Sequence, residues 1–564
     1  MSLNGALQVG RSAMQVSQTA LQVAGDNMAN AATPGFHRRT AHLAPNNGQQ
    51  IAPGQFIGQG VKLLTIRREI DTAMQARLRD ALSRENSALM DQRFLSSIEA
   101  IQNELTDNDL STLLSNFFNS FSELANNPQD NAVRGVTVQE GISLANRLSS
   151  MRTDYLRTQD EITRALGGAE EAANDLLTKI ASLNQQITST EAGAGEISSL
   201  RDHRDQMLND LATYMDITVY EQENGNVDVH VNSVPIVLGG ESRGVEVRKE
   251  SVGGELKVSV RVRDDGEQLD VRDGKIGGLM RQKKETVDPA IQVIDDFAAQ
   301  LIFQVNRLHS QGQGKQGFTS LTASNPVMDP AETLNASAAN LPFRIENGSF
   351  FIHVTHQDTG VRTTHEIKVD GNVDSLNDLV DKINNIVGVP NVTAGIDIGG
   401  PLTLDAAAGF EISFSDDTSG ALAALGLNTF FTGSNASDIN VNQIIQDDPS
   451  MLAAGTGHIS GSNETANAIA ELQDTAFSEL GGKSLREFWQ GSVTSLATRT
   501  SAANSAVDSS RVVREGLDAQ IQAVSGVSLD EESINLLTFQ RQFQAAARYI
   551  NVVDEMLQTL ISIA

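Results

Sequence analysis

The chain has 564 residues, 40% hydrophobic and 20% charged, which is enough for about three or four globular domains with cores of their own. Its 42 basic and 71 acidic side chains give a net charge of −29, which repels phosphate backbones, so we expect no nucleic acid as a partner. It has no cysteine, which excludes disulfides, thiol catalysis and thiolate-bound metals. No apolar run reaches the ~18 residues of a membrane span and no cleavable signal peptide is visible, so we expect no membrane insertion.

The N-terminal segment carries a seven-residue repeat over residues 6–26, ALQVGRS, AMQVSQT and ALQVAGD. One heptad position holds large apolar side chains and a second holds mostly small ones, which predicts a helix that another helix approaches closely. Only Arg11 and Asp26 are charged between residues 1 and 36. We interpret the segment as a helix contacted on several sides in an assembly, with an ordinary buried helix as the alternative. The large apolar residues are Leu7, Met14, Leu21 and Met28.

The C-terminal segment shows the most regular apolar period of the chain, in steps of three and four over four heptads, which predicts a coiled-coil helix. We expect it to be an assembly surface, because an apolar helix at the end of a chain is unusual in a monomer. A helix docked on its own domain is the alternative. The periodic residues are Leu536, Phe539, Phe543, Ala546, Ile550, Val553, Leu557, Leu560 and Ala564. Further apolar residues beside them are Leu537, Tyr549, Val552, Met556 and Ile563.

A turn motif follows the N-terminal repeat, and its Pro-Gly pair is expected to end the helix. The motif residues are Asn30, Thr33, Pro34, Gly35 and Phe36. Together with the two terminal heptad segments, this motif resembles the signature of the bacterial flagellar rod and hook axial protein family, in which Tyr usually stands in place of Phe36. Residues 526–532 and 535–545 resemble the closing helix of the same family.

Four internal stretches narrow the resemblance to the hook–filament junction members of that family. With both termini, the resemblance covers roughly residues 1–310 and 460–564. The stretches are 173–177, 185–187, 200–205 and 274–279.

The apolar period between the ends switches from helical to two-residue spacing and back. Residues 72–213 have the pattern of long helices, and 217–231 that of a β-hairpin. The fold class we expect is multidomain and mainly α at the ends and body, with a terminal coiled coil, a long-helix bundle, inserted β and α/β modules, and an elongated hairpin-like course. The expected domains are a terminal coiled coil (1–36 with 526–564), a helical rod (37–213 with 273–320 and 458–525), a small β domain (214–272) and an outer α/β insertion (321–457).

Three patterns suggest chemistry, but each has a simpler interpretation. The glycine-rich stretch 312–317 follows a helix, so we interpret it as an exit loop rather than a dinucleotide site. Residues 370–381 lack the Gly and Glu of a calcium loop and fit a turn with a helix N-cap. Asp202 and Asp205 are expected on a helix, in salt bridges with the neighbouring Arg201 and Arg204. We therefore predict no catalytic residues, no metal site, no cofactor and no enzyme activity.

The resemblance implies a structural subunit of the flagellum at the junction between hook and filament. It implies export without a signal peptide by the flagellar type III apparatus, termini largely unfolded before assembly, and a secreted, extracellular location. The implied partners are further copies in a ring, the hook protein on one side, a second junction protein or flagellin on the other, and an export chaperone at the C-terminal helix. The alternatives are another axial protein such as the hook protein, or a cytoplasmic coiled-coil scaffold.

Overall fold

The computed structural model describes residues 3–52, 54–104, 109–191, 197–252, 255–386, 391–456, 459 and 461–563. Ala564, the last residue of the predicted apolar period, and the side chain of Ile563 lie outside this description.

Long helices occupy both ends and much of the body, as the apolar periods predict. The helices are α1 (Leu3–Ala29), α2 (Thr72–Gln102), α3 (Leu110–Asn126), α4 (Asn131–Glu191), α5 (Ser198–Ala212), α6 (Gly274–Gln282), α7 (Asp288–His309), α8 (Leu376–Ile386), α9 (Ala421–Leu425), α10 (Gln443–Asp447), α11 (Glu464–Glu471), α12 (Leu485–Ser525) and α13 (Leu529–Ile563). A π-helical turn, Lys283–Val287, joins α6 to α7.

Short strands lie in three regions between the helices. The strands are β1 (Arg39–Pro45), β2 (Gln49–Ala52), β3 (Gln55–Ile57), β4 (Val61–Arg68), β5 (Ile217–Glu221), β6 (Val227–Val231), β7 (Val234–Leu238), β8 (Glu241–Ser242), β9 (Val245–Val252), β10 (Glu255–Val262), β11 (Gln268–Leu269), β12 (Ser320–Thr322), β13 (Gly348–His356), β14 (Arg362–Val369), β15 (Val392–Ile396), β16 (Leu402–Ala406), β17 (Phe410–Ser415), β18 (Phe431–Thr432) and β19 (Asn440–Val441).

The chain forms two compact units, each assembled from separate segments. Unit 1 contains both ends of the chain and unit 2 contains the outer α/β region. Unit 1 comprises Met1–Arg93, Ile162–Gln282 and Ala502–Ala564; unit 2 comprises Phe94–Glu161 and Lys283–Ser501.

Unit 1 contains the predicted β-hairpin and a second hairpin that the sequence does not indicate. β5 pairs antiparallel with β6, and Gly225 takes a positive φ of 83° in the turn, where a side chain would be strained. Alternate side chains of β6 are fully buried, which explains its two-residue period. β1 pairs with β4 from Arg39↔Arg68 to Pro45↔Val61. Its side chains are half-buried or exposed, so no clear alternation marks it.

Unit 2 has an aromatic core between helices and the segment that follows the outer sheets. Phe117 of α3 lies 5.6 Å from Phe430 and 5.5 Å from Phe431, measured between ring centres. Asn306 of α7 accepts hydrogen bonds from the backbone N–H groups of both Phe430 and Phe431. The far end of the predicted insertion is therefore bound to α3 and α7.

The outer α/β region of unit 2 has an apolar core of its own, drawn from buried residues between 321 and 427. Its two antiparallel sheets have the strand orders β14-β13-β17 and β12-β16-β15. The helix that begins within residues 370–381 is α8, and Ser375 and Asp378 cap it by exchanging side-chain-to-backbone hydrogen bonds. The N-cap interpretation of residues 370–381 is therefore confirmed.

Candidate assembly surface of the terminal helices

The two terminal helices pair, as their apolar periods predict, and a glycine of α1 lies in their contact. A Cβ atom on Gly10 of α1 would lie 2.7 Å from Cγ1 of Ile550 in α13. Beyond the end of α1, Arg38 contacts Glu532 at the start of α13, so the two helices run antiparallel. The row of small residues therefore has a direct structural reason, because a larger side chain at Gly10 would separate the helices.

The helix α1 is buried on two sides, which explains why it has so few charges. One side faces α13, and another packs on the hairpin of β1 and β4. Asn27 is fully buried and exchanges two hydrogen bonds with the backbone of Arg39, at 2.9 and 3.0 Å. The buried residues of α1 are Gly10, Val16, Ser17, Ala20, Val23, Ala24 and Asn27.

The predicted interface residues divide between this pair and the surface. On α1, the predicted large residues are all half-buried, so the small row is the better buried of the two. On α13, Val553 is buried and Leu560 is 53% exposed. The half-buried residues are Leu7, Met14, Leu21, Met28, Leu536, Phe539, Phe543, Ile550 and Leu557.

A second face of α13 exposes large apolar side chains after the helix has paired with α1. We call this set the outer row; its members are between 42% and 63% exposed. Most of them were noted in the sequence as apolar surface beside the predicted row. The outer row consists of Ile534, Leu537, Tyr549, Val552, Met556 and Leu560.

The turn motif ends α1 through local hydrogen bonds. Asn30 donates from its amide to the backbone and side-chain oxygens of Asp26, at 2.9 and 3.0 Å. The N–H of Thr33 donates to the carbonyl of Asn30, and that of Phe36 to the carbonyl of Thr33. Gly35 has a φ of +75°, which explains the glycine. Pro34 is exposed. Through these hydrogen bonds and the conformation of Gly35, the motif Asn30, Thr33, Pro34, Gly35 and Phe36 ends α1 in this unit.

Directly after the motif, a buried polar network joins the chain to α5. His37 Nδ1 lies 2.8 Å from Asp202 Oδ1, and Arg68 Nη1 lies 3.0 Å from the same oxygen. Arg68 Nη1 also donates to Asp205 at 2.8 Å. Burial alone would raise the pKa of the Asp202 carboxyl, but its hydrogen bonds from His37 and Arg68 hold that pKa below its ordinary value.

The expected salt bridges within α5 are wrong. Arg201 pairs instead with Glu191, at 2.8 Å, while Arg204 donates to the carbonyl of Gly225, at 2.6 Å. The physical reason is that Asp202, Arg204 and Asp205 lie on the buried side of α5, where other elements supply their partners. Sequence spacing gives no signal for such partners.

Arg38 is the side chain that fixes the N-terminal end of α13. Its Nε lies 2.8 Å from Oε1 of Glu532, whose side chain is 3% exposed, and its Nη1 lies 2.9 Å from Glu531. Its backbone N–H donates to the carbonyl of Ser525, at 2.9 Å. These contacts join the segment after the turn motif to the junction of α12 and α13. The sequence does not indicate them.

The described parts of the chain contain no group of three or more His, Cys, Asp or Glu side chains that could hold a metal ion. The glycine-rich stretch follows α7, as predicted, and is tied by backbone hydrogen bonds from Gln313 and Lys315 to Gly455 and Ser450. None of the described helices has the length and apolar character of a membrane span.

Comparison with known proteins agrees with this arrangement of ends and body. Residues 95–321 match the family model of the flagellar hook-associated protein FlgK helical domain. Residues 7–37 match the flagella basal body rod protein model, and 520–563 the flagellar basal body rod FlgEFG protein C-terminal model. Flagellar hook-associated protein 1 of Escherichia coli (strain K12) is 25% identical over 98% of both chains. The chain is therefore similar to flagellar hook-associated protein 1 over nearly its whole length.

The chain is similar to other hook-associated proteins over a comparable length. Flagellar hook-associated protein 1 of Bacillus subtilis (strain 168) is 24% identical over 99% of this chain and 97% of its own length. The solved structure of the flagellar hook junction protein FlgK from Burkholderia pseudomallei covers 80% of this chain and all of its own, with a TM-score of 0.51 and 15% identity. That likeness shows a shared fold over the part that it covers. The matched family is one of structural flagellar proteins.

Proposed function

We propose that this chain is a structural subunit of the bacterial flagellum that forms the junction between hook and filament. The observation that carries the proposal is the outer row, which stays exposed although α13 is already paired with α1. An apolar surface of this extent favours contact with another protein. Similarity to flagellar hook-associated protein 1 over nearly the whole chain supports the flagellum as the place of that contact.

The proposed partners are further copies in a ring, the hook protein on one side, and a second junction protein or flagellin on the other. An export chaperone covers the C-terminal helix before assembly. The chain leaves the cell by the flagellar type III route without a signal peptide and acts outside the cell, with no enzyme activity and no cofactor. The lack of cysteine supports this proposal, because an unfolded chain without thiols cannot form disulfides in transit.

The terminal helices are proposed to be largely unfolded before assembly and to order against neighbouring subunits. Few charges and incomplete burial support this, because a helix gains most of its stability from packing. The proposed interface comprises the apolar residues predicted on both helices. The four domains predicted from the sequence are kept as part of the proposal.

The experiment is electron microscopy of flagella from cells that lack the gene, with the gene restored on a plasmid as the control. We expect complete hooks without filaments, and filaments again on restoration. A hook protein would instead leave cells without hooks, and a cytoplasmic scaffold would leave flagella intact. Either outcome would contradict the proposal.

A further inference from the structure

A groove runs along unit 1 between α2 and α12. Its volume is about 440 Å³. Contacts between Gln92 and Asn504 and between Glu85 and Arg514 hold the two helices together beside it. Residues of both helices line the groove, among them Arg77, Arg84, Val512, Val513, Gly516 and Gln520.

The α12 side of the groove is apolar and open. Val512 is 68% exposed and Val513 57% exposed, although they are adjacent on a helix whose outward face would ordinarily be polar. A Cβ atom on Gly516 would meet nothing within 4 Å. Exposed β-branched residues and a glycine do not favour a solvent-facing helix. Contact of this face of α12 with the surface of another protein explains them better.

The α2 side of the groove has two arginines and one aspartate among its lining residues, a net positive charge in a strongly acidic chain. Arg77 is exposed and makes no ion pair with any described residue, and Arg84 has only the exposed Asp80, one turn away at 3.1 Å. The chain as a whole carries −29. A second copy of this chain is therefore an acidic partner, for which a groove edged by arginines is complementary in charge.

Beyond the groove, exposed apolar side chains continue along the sequence to the start of α13. Val513, Gly516, Gln520 and Val524 recur in steps of three and four on one face of α12, and Val524 is 47% exposed. Leu529, at the start of α13, is 54% exposed. The exposed apolar surface of α12 thus leads along the chain into the surface proposed for subunit contact.

We infer that the groove between α2 and α12 is a docking site for a second copy of this chain. Val512 and Val513 are buried by the neighbouring copy, and Arg77 and Arg84 pair with its acidic side chains. This inference rests on the proposed function, since it places the contact between adjacent subunits of the junction.

The test is site-specific photo-crosslinking in assembled flagella, with the photoreactive residue at position 513 of the full-length chain. Position 522, exposed on the same helix but outside the groove, is the matched control. We expect a covalent dimer of this chain from position 513 and none from position 522. A crosslink from 513 to a different protein, or none in flagella that contain the chain, overturns the inference.

A second comparison uses charge rather than crosslinking. Val513→Asp places a carboxylate against the acidic neighbour, whereas Gln522→Asp adds the same charge outside the groove. We expect loss of filaments only for Val513→Asp, with circular dichroism of the purified protein unchanged in both. Equal filament retention overturns the inference. Absence of the chain from purified flagella would instead refute the proposed function, and this inference with it.

Discussion

The packing at Gly10 makes a prediction that separates helix propensity from helix pairing. Gly10→Ala places a Cβ 2.7 Å from Ile550 Cγ1 and 3.1 Å from Tyr549 Cδ1. Gly25→Ala, in the same helix, meets nothing within 4 Å. Both substitutions favour the helix, because alanine is better than glycine in a helix interior by about 1 kcal/mol. Only Gly10→Ala disturbs the contact with α13.

The size of the effect follows from the geometry. Carbon atoms in contact are normally about 3.5–4.0 Å apart, so Ile550 must give way by about 1 Å or the helices must separate. Overpacking of this kind costs about 1–3 kcal/mol. The two variants are therefore expected to differ by about 1–3 kcal/mol in the stability of the helix pair, with Gly10→Ala the weaker.

The assay is the temperature at which filaments detach from hooks, counted by electron microscopy, together with hydrogen exchange of the free subunit. We expect detachment at a lower temperature for Gly10→Ala and at an unchanged or higher temperature for Gly25→Ala. Because the termini are proposed to be unfolded in the free subunit, residues 3–29 should exchange rapidly in both variants. Equal detachment temperatures would refute the close approach at Gly10.

Three further predictions concern the pair, the network and the outer region. Ile550→Asp should abolish filament attachment, since a carboxylate buried in the assembled helix pair costs several kcal/mol. The melting temperature of the free subunit should stay unchanged, because the terminal helix is proposed to be unfolded there. A large fall in melting temperature would show that the helix docks before assembly. Asp202→Asn should lower the free energy of unfolding at pH 7 by about 1–3 kcal/mol. Because the pKa of Asp202 is lowered in the folded state, its ionised carboxylate stabilises the fold above the unfolded pKa of about 4, and this stabilisation is lost as pH falls through the folded pKa. Urea titrations should therefore show a weaker dependence of the free energy of unfolding on acid pH in Asp202→Asn. Asp175→Asn, which removes one partner of the exposed pair with Lys179, should change the stability little. Deletion of 325–425 should leave export and filaments intact, because the ends of the deleted segment are already adjacent: the N–H of Ser324 donates to the carbonyl of Gly426 at 3.0 Å. Deletion of 321–457 also removes Phe430 and Phe431 from the aromatic core, so it should prevent folding of unit 2, as judged by proteolysis.

Periodic features of the fold could be predicted from the sequence. Helices α1, α8 and α13 and the hairpin of β5 and β6 bury side chains at regular intervals, and a repeated apolar spacing records that burial. The motif with Pro34 and Gly35 marked the end of α1 through residues whose backbone preferences are known. These signals are local, so a single sequence carries them.

Features that depend on distant partners could not be predicted. The hairpin of β1 and β4 is held by pairing across 15 or more residues and by the side of α1, with no alternation of its own. The spacing of Arg201, Asp202 and Arg204 suggested pairs within one helix turn, yet their partners come from β4, β5 and the chain after α1. A charged residue shows its partner only once the fold has brought the two together.

Residues 37–39 show how these long-range contacts bear on assembly. Successive side chains of this segment face different elements: His37 contacts Asp202 of α5, Arg38 contacts Glu532 of α13, and Arg39 contacts Asp26 of α1 and, at 3.5 Å, Asp202. Both terminal helices are thus attached to α5 through this segment, and most of the predicted interface residues between them are apolar and half-buried. Under the proposed function, the segment supplies the geometry and neighbouring subunits supply further apolar contact, because a helix gains most of its stability from packing. We therefore propose that the subunit holds its terminal helices in register for assembly without making them stable before it.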